Sequence, residues 1–397
     1  MSGSSSSSPV LTLESQRESP AREFELLCAA AASHLSPERI AAIARASEAV
    51  VDWPSLLRMA EYHGTLPLLA HNLLAHGRGI PPEVERDLRA SFAENVRRNL
   101  WFASELVRIC RGFAARSIAA VPYKGPLLAE SVYNDLALRR FSDLDFLVAP
   151  RDVQSAKQAL ADLEYQPSTA LTQAAERMEL KNGYELAFDG PAGKYLVELQ
   201  WRILPPFYAI DLRSDGLIQR STRVVVSGQV LPSLAPEDLL VVLCLHAAKH
   251  LWTRMIWLCD IAETIRSQKI DYQILWARAQ TLGVVRMLAV GFSLAKNVLG
   301  ADLPEEAAEE IPKDRHVESL AREFAARLGR SAAYDFQSSF YFRRILDLRE
   351  RRTDQVRYLW RLMSTPAASD VAAVRLPEKF SPLYRAVRVL RLIRKLH

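Results

Sequence analysis

The sequence has few of the features that mark secreted or membrane-spanning proteins. It contains only 4 cysteines in 397 residues and no Cys-x-x-Cys pair, which favours buried, reduced thiols over disulfides or a zinc ribbon. No apolar run approaches the roughly 18 to 20 residues of a membrane span, and the amino terminus has no apolar signal segment. These absences predict a cytoplasmic protein.

Several catalytic motifs are absent as well. No Gly-rich phosphate loop, Gly-x-Ser-x-Gly or His-Glu-x-x-His motif occurs, so ATPase, serine-hydrolase and zinc-protease chemistry have no support. His246 and His250 have the spacing of one helix face, but no third zinc ligand is near them in sequence. A wall of a binding cleft or a buried histidine pair is favoured over a zinc site.

Positive charge is concentrated at one end of the chain. The net charge is +5 at pH 7, and residues 377–397 hold six Lys or Arg and one Glu, a net +5 (6 − 1). The rest of the chain sums to zero, which makes nucleic acid a disfavoured partner. The basic tail either contacts an anionic surface or docks as a helix with a solvated arginine face, and both readings stay open.

Hydrophobic periodicity predicts helices on both sides of a short stretch with strand patterns. The predicted regions are a disordered Ser-rich tail at 1–21, a helical region at 22–117, a strand-rich core at 118–204, a second helical region at 205–376 and a basic helix at 377–397. One basic helix is expected from Arg343 to Arg361. The predicted class is α+β, with a small mixed or antiparallel sheet between helical regions.

The two helical regions share a short internal similarity. Asp52-Trp53 aligns with Asp271-Tyr272, and Gly64 with Gly283, at a shift of 219 residues (271 − 52). Repeats of this kind indicate a reused packing unit. Chance similarity between two amphipathic helices remains the alternative.

Residues 121–148 carry the strongest chemical signal. They predict a strand ending at Lys124-Gly125, a helix, a basic turn, and a strand with Asp143 and Asp145 on one face. Neighbouring carboxylates repel, and a hard divalent cation relieves that repulsion. With Lys124 upstream to contact an anionic phosphate chain, the arrangement predicts a metal–nucleotide site.

The run from Arg139 to Val148, preceded by Lys124-Gly125, resembles the uncharacterised nucleotidyltransferase family of the polymerase-β-like superfamily. The resemblance extends from about Asp52 to the carboxyl terminus. It implies a nucleotidyltransferase-like sheet and two Mg²⁺ ions held by an acidic pair and a third carboxylate on a later strand. The implied metal ligands and catalytic residues are Asp143, Asp145 and Glu198; the implied nucleotide-binding and cleft residues are Lys124, Gly125, Arg139, Ser142, His246 and His250.

Two departures from the family pattern are visible. The Gly-Ser pair that usually precedes the acidic strand is missing, so that Ser142 alone could replace its serine, and Gln200 stands where a histidine is expected. The expected reaction is Mg²⁺-dependent transfer of a nucleoside monophosphate from an NTP, such as ATP, with release of pyrophosphate. The acceptor, a small molecule, peptide or protein, is left open. The alternative is a catalytically silent nucleotide-binding module or an interaction module that uses the basic tail.

Overall fold

The computed structural model describes residues 21–50, 52–191, 196–309, 311, 314–331, 338–366, 368–374 and 383–396. The predicted Ser-rich tail, apart from Ala21, lies outside these residues, as do residues 377–382 and His397 of the predicted basic helix. In the described part of the chain, no helix combines the length and apolarity that crossing a membrane requires.

Five helices precede the first strand. They are α1 (Ala21–Ala30), α2 (Pro37–Glu48), α3 (Trp53–His63), α4 (Leu66–His76) and the long α5 (Pro82–Ala114). Prolines occupy the first turns of α2 to α5, where the missing amide proton would have no helical partner. The helical amino-terminal region predicted from the sequence is therefore present.

The central sheet has five strands in the order β1-β2-β5-β4-β3. β2 and β5 are parallel, and the other neighbours are antiparallel, so the sheet is mixed. This confirms the predicted α+β class. The strands are β1 (Val121–Pro122), β2 (Asp143–Leu147), β3 (Gln166–Pro167), β4 (Glu185–Asp189) and β5 (Leu196–Gln200); the helices between them are α6 (Gly125–Tyr133), α7 (Val153–Asp162) and α8 (Gln173–Asn182).

A second sheet was missed by the sequence prediction. After α9 (Ser214–Gln219), the strands β6 (Thr222–Val226) and β7 (Gln229–Ser233) form a hairpin inside the region expected to be helical. Its turn residues Ser227 and Gly228 have positive φ values of 48° and 73°, as a two-residue hairpin turn requires. The hairpin packs on α6 and β1 and so belongs with the central sheet.

The remaining helices form the carboxyl-terminal region. They are α10 (Pro236–Lys249), α11 (Met255–Ser267), α12 (Tyr272–Leu282), α13 (Val285–Leu299), α14 (Glu305–Glu309), α15 (Arg315–Gly329), α16 (Ser339–Asp347), α17 (Arg352–Ser364), α18 (Ala368–Ala373) and α19 (Tyr384–Leu396). The single helix expected from Arg343 to Arg361 is wrong, because the chain breaks between α16 and α17. The break lets the Glu350 carboxylate accept hydrogen bonds from the backbone amides of Val285 and Arg286, which begin α13.

The internal similarity corresponds to two helix pairs with the same caps. Asp52 accepts from the Ser55 amide at the start of α3, and Asp271 accepts from the Ile274 amide at the start of α12. Both helices end at a left-handed glycine and are followed by α4 and α13 respectively. The two pairs share one large apolar core, while the sheet, α7 and the second half of α5 surround another.

Candidate active site

Two parallel strands bring together the three carboxylates that the sequence predicts. Asp143 and Asp145 lie at the start of β2, where alternate side chains share a face. β5 runs parallel to β2 with Glu198 directly opposite Asp145. Asp145 is buried, whereas Asp143 and Glu198 are partly exposed. The acidic residues are therefore neighbours on adjacent strands, with access from solvent at their outer side.

A glutamine side chain links these carboxylates. Nε2 of Gln200 lies 3.2 Å from Oδ1 of Asp145 and 3.0 Å from Oε2 of Glu198, while the Tyr123 hydroxyl donates to Oε1 of Gln200. An amide nitrogen carries two protons, so Gln200 satisfies at most two acceptors at a time. Gln200, which stands where the family pattern has a histidine, thus links the carboxylates of the acidic cluster through hydrogen bonds.

A fourth carboxylate, Glu185, belongs to the cluster and was not predicted. β4 pairs antiparallel with β5 and sets Glu185 opposite Gln200. Oε2 of Glu185 is 3.3 Å from Nε2 of Gln200, which makes it a third neighbour of that amide. Residues 190–195 separate the paired strand ends Asp189 and Leu196, a loop length that the sequence does not fix, so no register counted from the sequence would have found Glu185.

Two lysines face the acidic cluster. Lys124, directly before α6, places Nζ 3.1 Å from Oδ1 of Asp145 and 3.4 Å from Nδ1 of His246. Lys249, at the end of α10, donates to the Tyr184 hydroxyl at 3.0 Å beside Glu185. Lys124 therefore lies beside the carboxylates, as predicted. Its partner in this structure is a carboxylate rather than a phosphate.

Burial and mutual repulsion shift the pKa values of these acids. Burial raises the pKa of Asp143 to about 6 and the pKa of Glu198 to about 8, and the negative charge of Asp145 adds to both shifts. Burial opposes a charge on Lys124, but the charges of Asp145, Asp143 and Glu198 outweigh it and raise the Lys124 pKa. Asp143 and Glu198 are therefore harder to ionise than free carboxyl groups, and Lys124 is harder to deprotonate than a free lysine.

The cluster offers carboxylate oxygens, the donor type that Mg²⁺ prefers. Hard cations prefer carboxylate oxygen, and Oδ2 of Asp145 is buried without a hydrogen-bond partner. No three acidic, histidine or cysteine side chains among the described residues already form a ready metal site. Gln200 and Lys124 instead occupy Oδ1 of Asp145. A cation would take the unpartnered Oδ2 and complete its ligands from Asp143, Glu198 and oxygen atoms of a bound molecule.

The predicted phosphate side of the site lies at the start of α6. Gly125 has φ of +57°, and a Cβ added there would lie 3.3 Å from the backbone oxygen of Asp143. Glycine therefore allows the helix to begin directly against the acidic strand, where helix amides suit an anion. Ser142 is exposed immediately before Asp143. The phosphate roles of these two residues stay predictions.

The predicted phosphate ligand Arg139 has a protein partner. Its Nε and Nη2 donate to the two carboxylate oxygens of Asp260 on α11 at 2.8 Å each, and the Tyr133 hydroxyl donates to the same carboxylate at 2.7 Å. Among the described hydrogen bonds, none involves Nη1 of Arg139, and the phosphate role of this side chain stays a prediction. The adjacent Arg140 pairs with Glu61 on α3, as a surface partner for an acid.

His246 and His250 form an aromatic wall with Trp257. The His250 ring stacks on Trp257 with centroids 4.9 Å apart, and His246 meets the same indole edge-on at 5.4 Å. Burial lowers the His250 pKa to about 3 and lowers the His246 pKa well below its ordinary value, and the positive charge of nearby lysines adds to both shifts. Both imidazoles are therefore neutral, and they border Lys124 as the predicted cleft wall would.

A family model described as uncharacterised nucleotidyltransferase matches residues 49–300, which include all the strands described above. The chain belongs to this family. The match confirms the family resemblance seen in the sequence, although it ends at residue 300 and not at the carboxyl terminus, and nucleotidyl transfer is the reaction class that the family name carries. No curated protein matches the chain. The acidic strands, the two lysines and the histidine wall all lie inside the matched range.

Proposed function

We propose that the chain transfers a nucleoside monophosphate from an NTP to an acceptor, with Mg²⁺ held by Asp143, Asp145 and Glu198. The register of β2 and β5, which sets Glu198 beside Asp145, is the observation that carries the proposal. It is supported by the buried, unpartnered Oδ2 of Asp145. A buried polar atom without a partner is destabilising, and a bound cation would relieve that penalty.

The reaction proceeds by in-line attack. The acceptor oxygen forms a bond to the α-phosphorus, the bond from that phosphorus to the oxygen bridging to the β-phosphate breaks, and pyrophosphate leaves. The acceptor proton passes to a carboxylate of the cluster. Bound Mg²⁺ supplies activation of the acceptor oxygen and neutralisation of the leaving group. The protein contributes positioning and charge, since no covalent intermediate is needed.

Individual side chains divide the binding work. Lys124 turns from Asp145 toward the triphosphate, and the amides at Gly125 and the hydroxyl of Ser142 contact the same phosphates. Arg139 contributes through Nη1 while Asp260 fixes its orientation. The neutral wall of His246 and His250 packs against the base or sugar without repelling Mg²⁺, because neither imidazole is charged.

A thermal-shift experiment tests this function. Melting temperatures are measured with each of the four NTPs, with and without Mg²⁺, for wild type, Asp145→Asn and the control Asp87→Asn. Asp87 is exposed on α5, outside the acidic cluster. Wild type and control should show a Mg²⁺-dependent shift that Asp145→Asn loses, because one ligand carboxylate is gone. Equal shifts in all three proteins would overturn the proposal.

A second candidate is a catalytically silent nucleotide-binding module. The bridging amide of Gln200 favours it, because that amide occupies oxygens of Asp145 and Glu198 that a metal would otherwise use. It predicts Mg²⁺-dependent NTP binding without pyrophosphate release. An interaction module that uses the basic tail would behave differently: deletion after Pro377 would abolish partner binding, and Asp143→Ala would not.

A further inference from the structure

A second charged feature lies outside the acidic cluster. A groove of about 860 Å³ opens between α8, the residues after β5, the end of α17 and the start of α19. We call it the basic groove. Its charged lining residues are all cations, and no Asp or Glu lines it in the part of the chain that the structure describes; these cations are Arg177, Lys181, Arg202, Arg361 and Arg385.

Like charges are held together in the basic groove. Burial lowers the pKa of Arg202, and the nearby positive charge of Arg361 lowers it further. Among the described ion pairs, none includes Lys181, Arg202, Arg361 or Arg385, although Arg202 donates to the Gly183 backbone oxygen at 2.7 Å. Cations that repel each other without acidic partners are stabilised when an anion binds between them.

An aromatic surface accompanies these charges. Trp360 on α17 lines the basic groove with its side chain 66% exposed. Exposed tryptophan beside arginine provides a stacking face for a flat ring in an anionic ligand. The combination therefore selects for a ligand that has both phosphate groups and a ring system.

The basic groove begins where the strands of the acidic cluster end. Arg202 follows Gln200 by two residues, and Asn182 precedes β4, which carries Glu185. Asn182 donates to the Pro366 backbone oxygen and so links α8 to the end of α17. At about 3.3 Å per residue along an extended chain, Arg202 lies at most roughly 13 Å from Glu198. A ligand in the basic groove could extend that far into the cluster.

We propose that the basic groove binds the acceptor, a small molecule with a flat ring and at least two phosphate groups. Its role as acceptor rests on the proposed nucleotidyl transfer, while the anion site itself does not. Two phosphate monoesters carry about −3 to −4 at pH 7, which balances the four cations that form no described ion pair, Lys181, Arg202, Arg361 and Arg385. The volume lies within the roughly 300 to 1,000 Å³ of small-ligand pockets. The adjoining pocket shares Arg202 and Arg361 but is also lined by Asp211 and Asp215, so a long nucleic-acid strand would meet acidic side chains there.

Isothermal titration calorimetry in Mg²⁺-free buffer with EDTA tests the site. The probes are adenosine 3′,5′-bisphosphate, which has a flat ring, and fructose 1,6-bisphosphate, which has none. Arg361→Ala should weaken both probes by about tenfold or more, the usual effect of losing a charge-assisted hydrogen bond. Arg352→Ala, a control at the exposed start of the same helix, should leave both unchanged.

Two more variants are informative. One separates the contribution of the ligand's ring from that of its charge, and the other tests whether the basic groove binds independently of the acidic cluster. Trp360→Ala should weaken the adenosine probe by about tenfold and leave the sugar probe unchanged, because only the former can stack. Asp145→Asn should change neither probe. Lys181→Ala, at an exposed position, repeats the charge test if Arg361→Ala unfolds.

Several results would overturn the proposal. They are no binding of either probe to wild type, equal affinity in wild type and the Arg361→Ala and Lys181→Ala variants, or loss of probe binding in Asp145→Asn. Hundredfold tighter binding of a ten-nucleotide single-stranded RNA would overturn the small-molecule assignment. If the probes bind but NTP gives no Mg²⁺-dependent thermal shift, the proposed enzyme function alone is refuted. If NTP gives that shift but neither probe binds, the proposal for the groove alone is refuted.

Discussion

The Arg139–Asp260 pair is predicted to be a main support of the site. Its side chains are only 7% and 2% exposed, and Asp260 accepts three hydrogen bonds, two from Arg139 and one from Tyr133. Asp260→Asn keeps the shape but leaves the Arg139 charge buried without its counter-charge. Removing one partner of a buried pair costs about 3 to 5 kcal/mol of the free energy of unfolding. We therefore expect a loss in that range, measured by urea denaturation.

The chain offers a matched control next in sequence. Arg140 pairs with Glu61 across the surface, with side chains 37% and 48% exposed. Glu61→Gln should cost at most about 1 kcal/mol, because exposed ion pairs are screened by water and salt. The ratio between the two variants therefore measures the effect of burial on the same chemical change.

A double-mutant cycle completes the test. Asp260→Asn combined with Arg139→Gln should be less destabilised than the sum of the single variants, because the second change removes the unpaired charge left by the first. If Asp260→Asn is no more destabilising than Glu61→Gln, the reasoning is refuted. If Arg139→Lys also left stability intact and lowered only the NTP-dependent thermal shift, Arg139 would be a phosphate ligand without a supporting role.

Three further predictions concern charge and backbone geometry. Glu198→Gln should stabilise the metal-free protein more at pH 9 than at pH 5.5, because a folded pKa raised to about 8 means that stability falls as the pH rises through that value. The pKa of His63 is lowered from 6.5 to about 4 by burial, so stability should fall by about 3 kcal/mol as the pH drops from 6.5 toward 4, and His63→Gln should flatten that slope. Gly125→Ala should cost about 1 to 2 kcal/mol and weaken Mg²⁺–NTP binding, because its Cβ would strain a positive φ and press on Asp143.

Each of these has a direct check. Urea denaturation at the stated pH values measures the first two, and a Glu198→Gln gain that is equal at both pH values would contradict the first. For His63, whose Nδ1 accepts from the Met255 amide, an unchanged slope in the variant would contradict the second. Alanine at Gly329, at the end of α15, controls the third, because its φ is not positive and an added Cβ would meet only Phe24 at an ordinary contact distance of 3.6 Å; a Gly125→Ala protein as stable as wild type would contradict it.

Local chemistry made much of this fold predictable. Caps such as Asp52 and Asp271 and the prolines in first turns act within a few residues, so that the helix starts follow from the sequence alone. The alternation around Asp143 and Asp145 likewise determines which face of β2 is acidic. These features need no knowledge of distant contacts.

Long-range partners account for what the sequence did not predict. At the break after α16, Glu350 caps α13, about 65 residues earlier in the chain, and no local pattern indicates that contact. Asp260 binds the guanidinium of Arg139, which lies 121 residues earlier in the chain, and no spacing rule indicates this pairing. The β6–β7 hairpin did have a local signal, its Ser227-Gly228 turn between valine-rich segments, and was missed because the surrounding region reads as helical.

The metal-free cluster is balanced by its own donors, and this bears on how a ligand would bind. Lys124 and Gln200 both contact Oδ1 of Asp145, while Oδ2 has no partner. An incoming cation with a triphosphate would satisfy Oδ2 and offer Lys124 a phosphate in exchange for the carboxylate. Gln200, held by Tyr123, would then remain as the donor that keeps Glu198 near Asp145. The same residue that departs from the family pattern can therefore preorganise the carboxylates. A histidine would do so less consistently across pH, because it is protonated only below neutral pH.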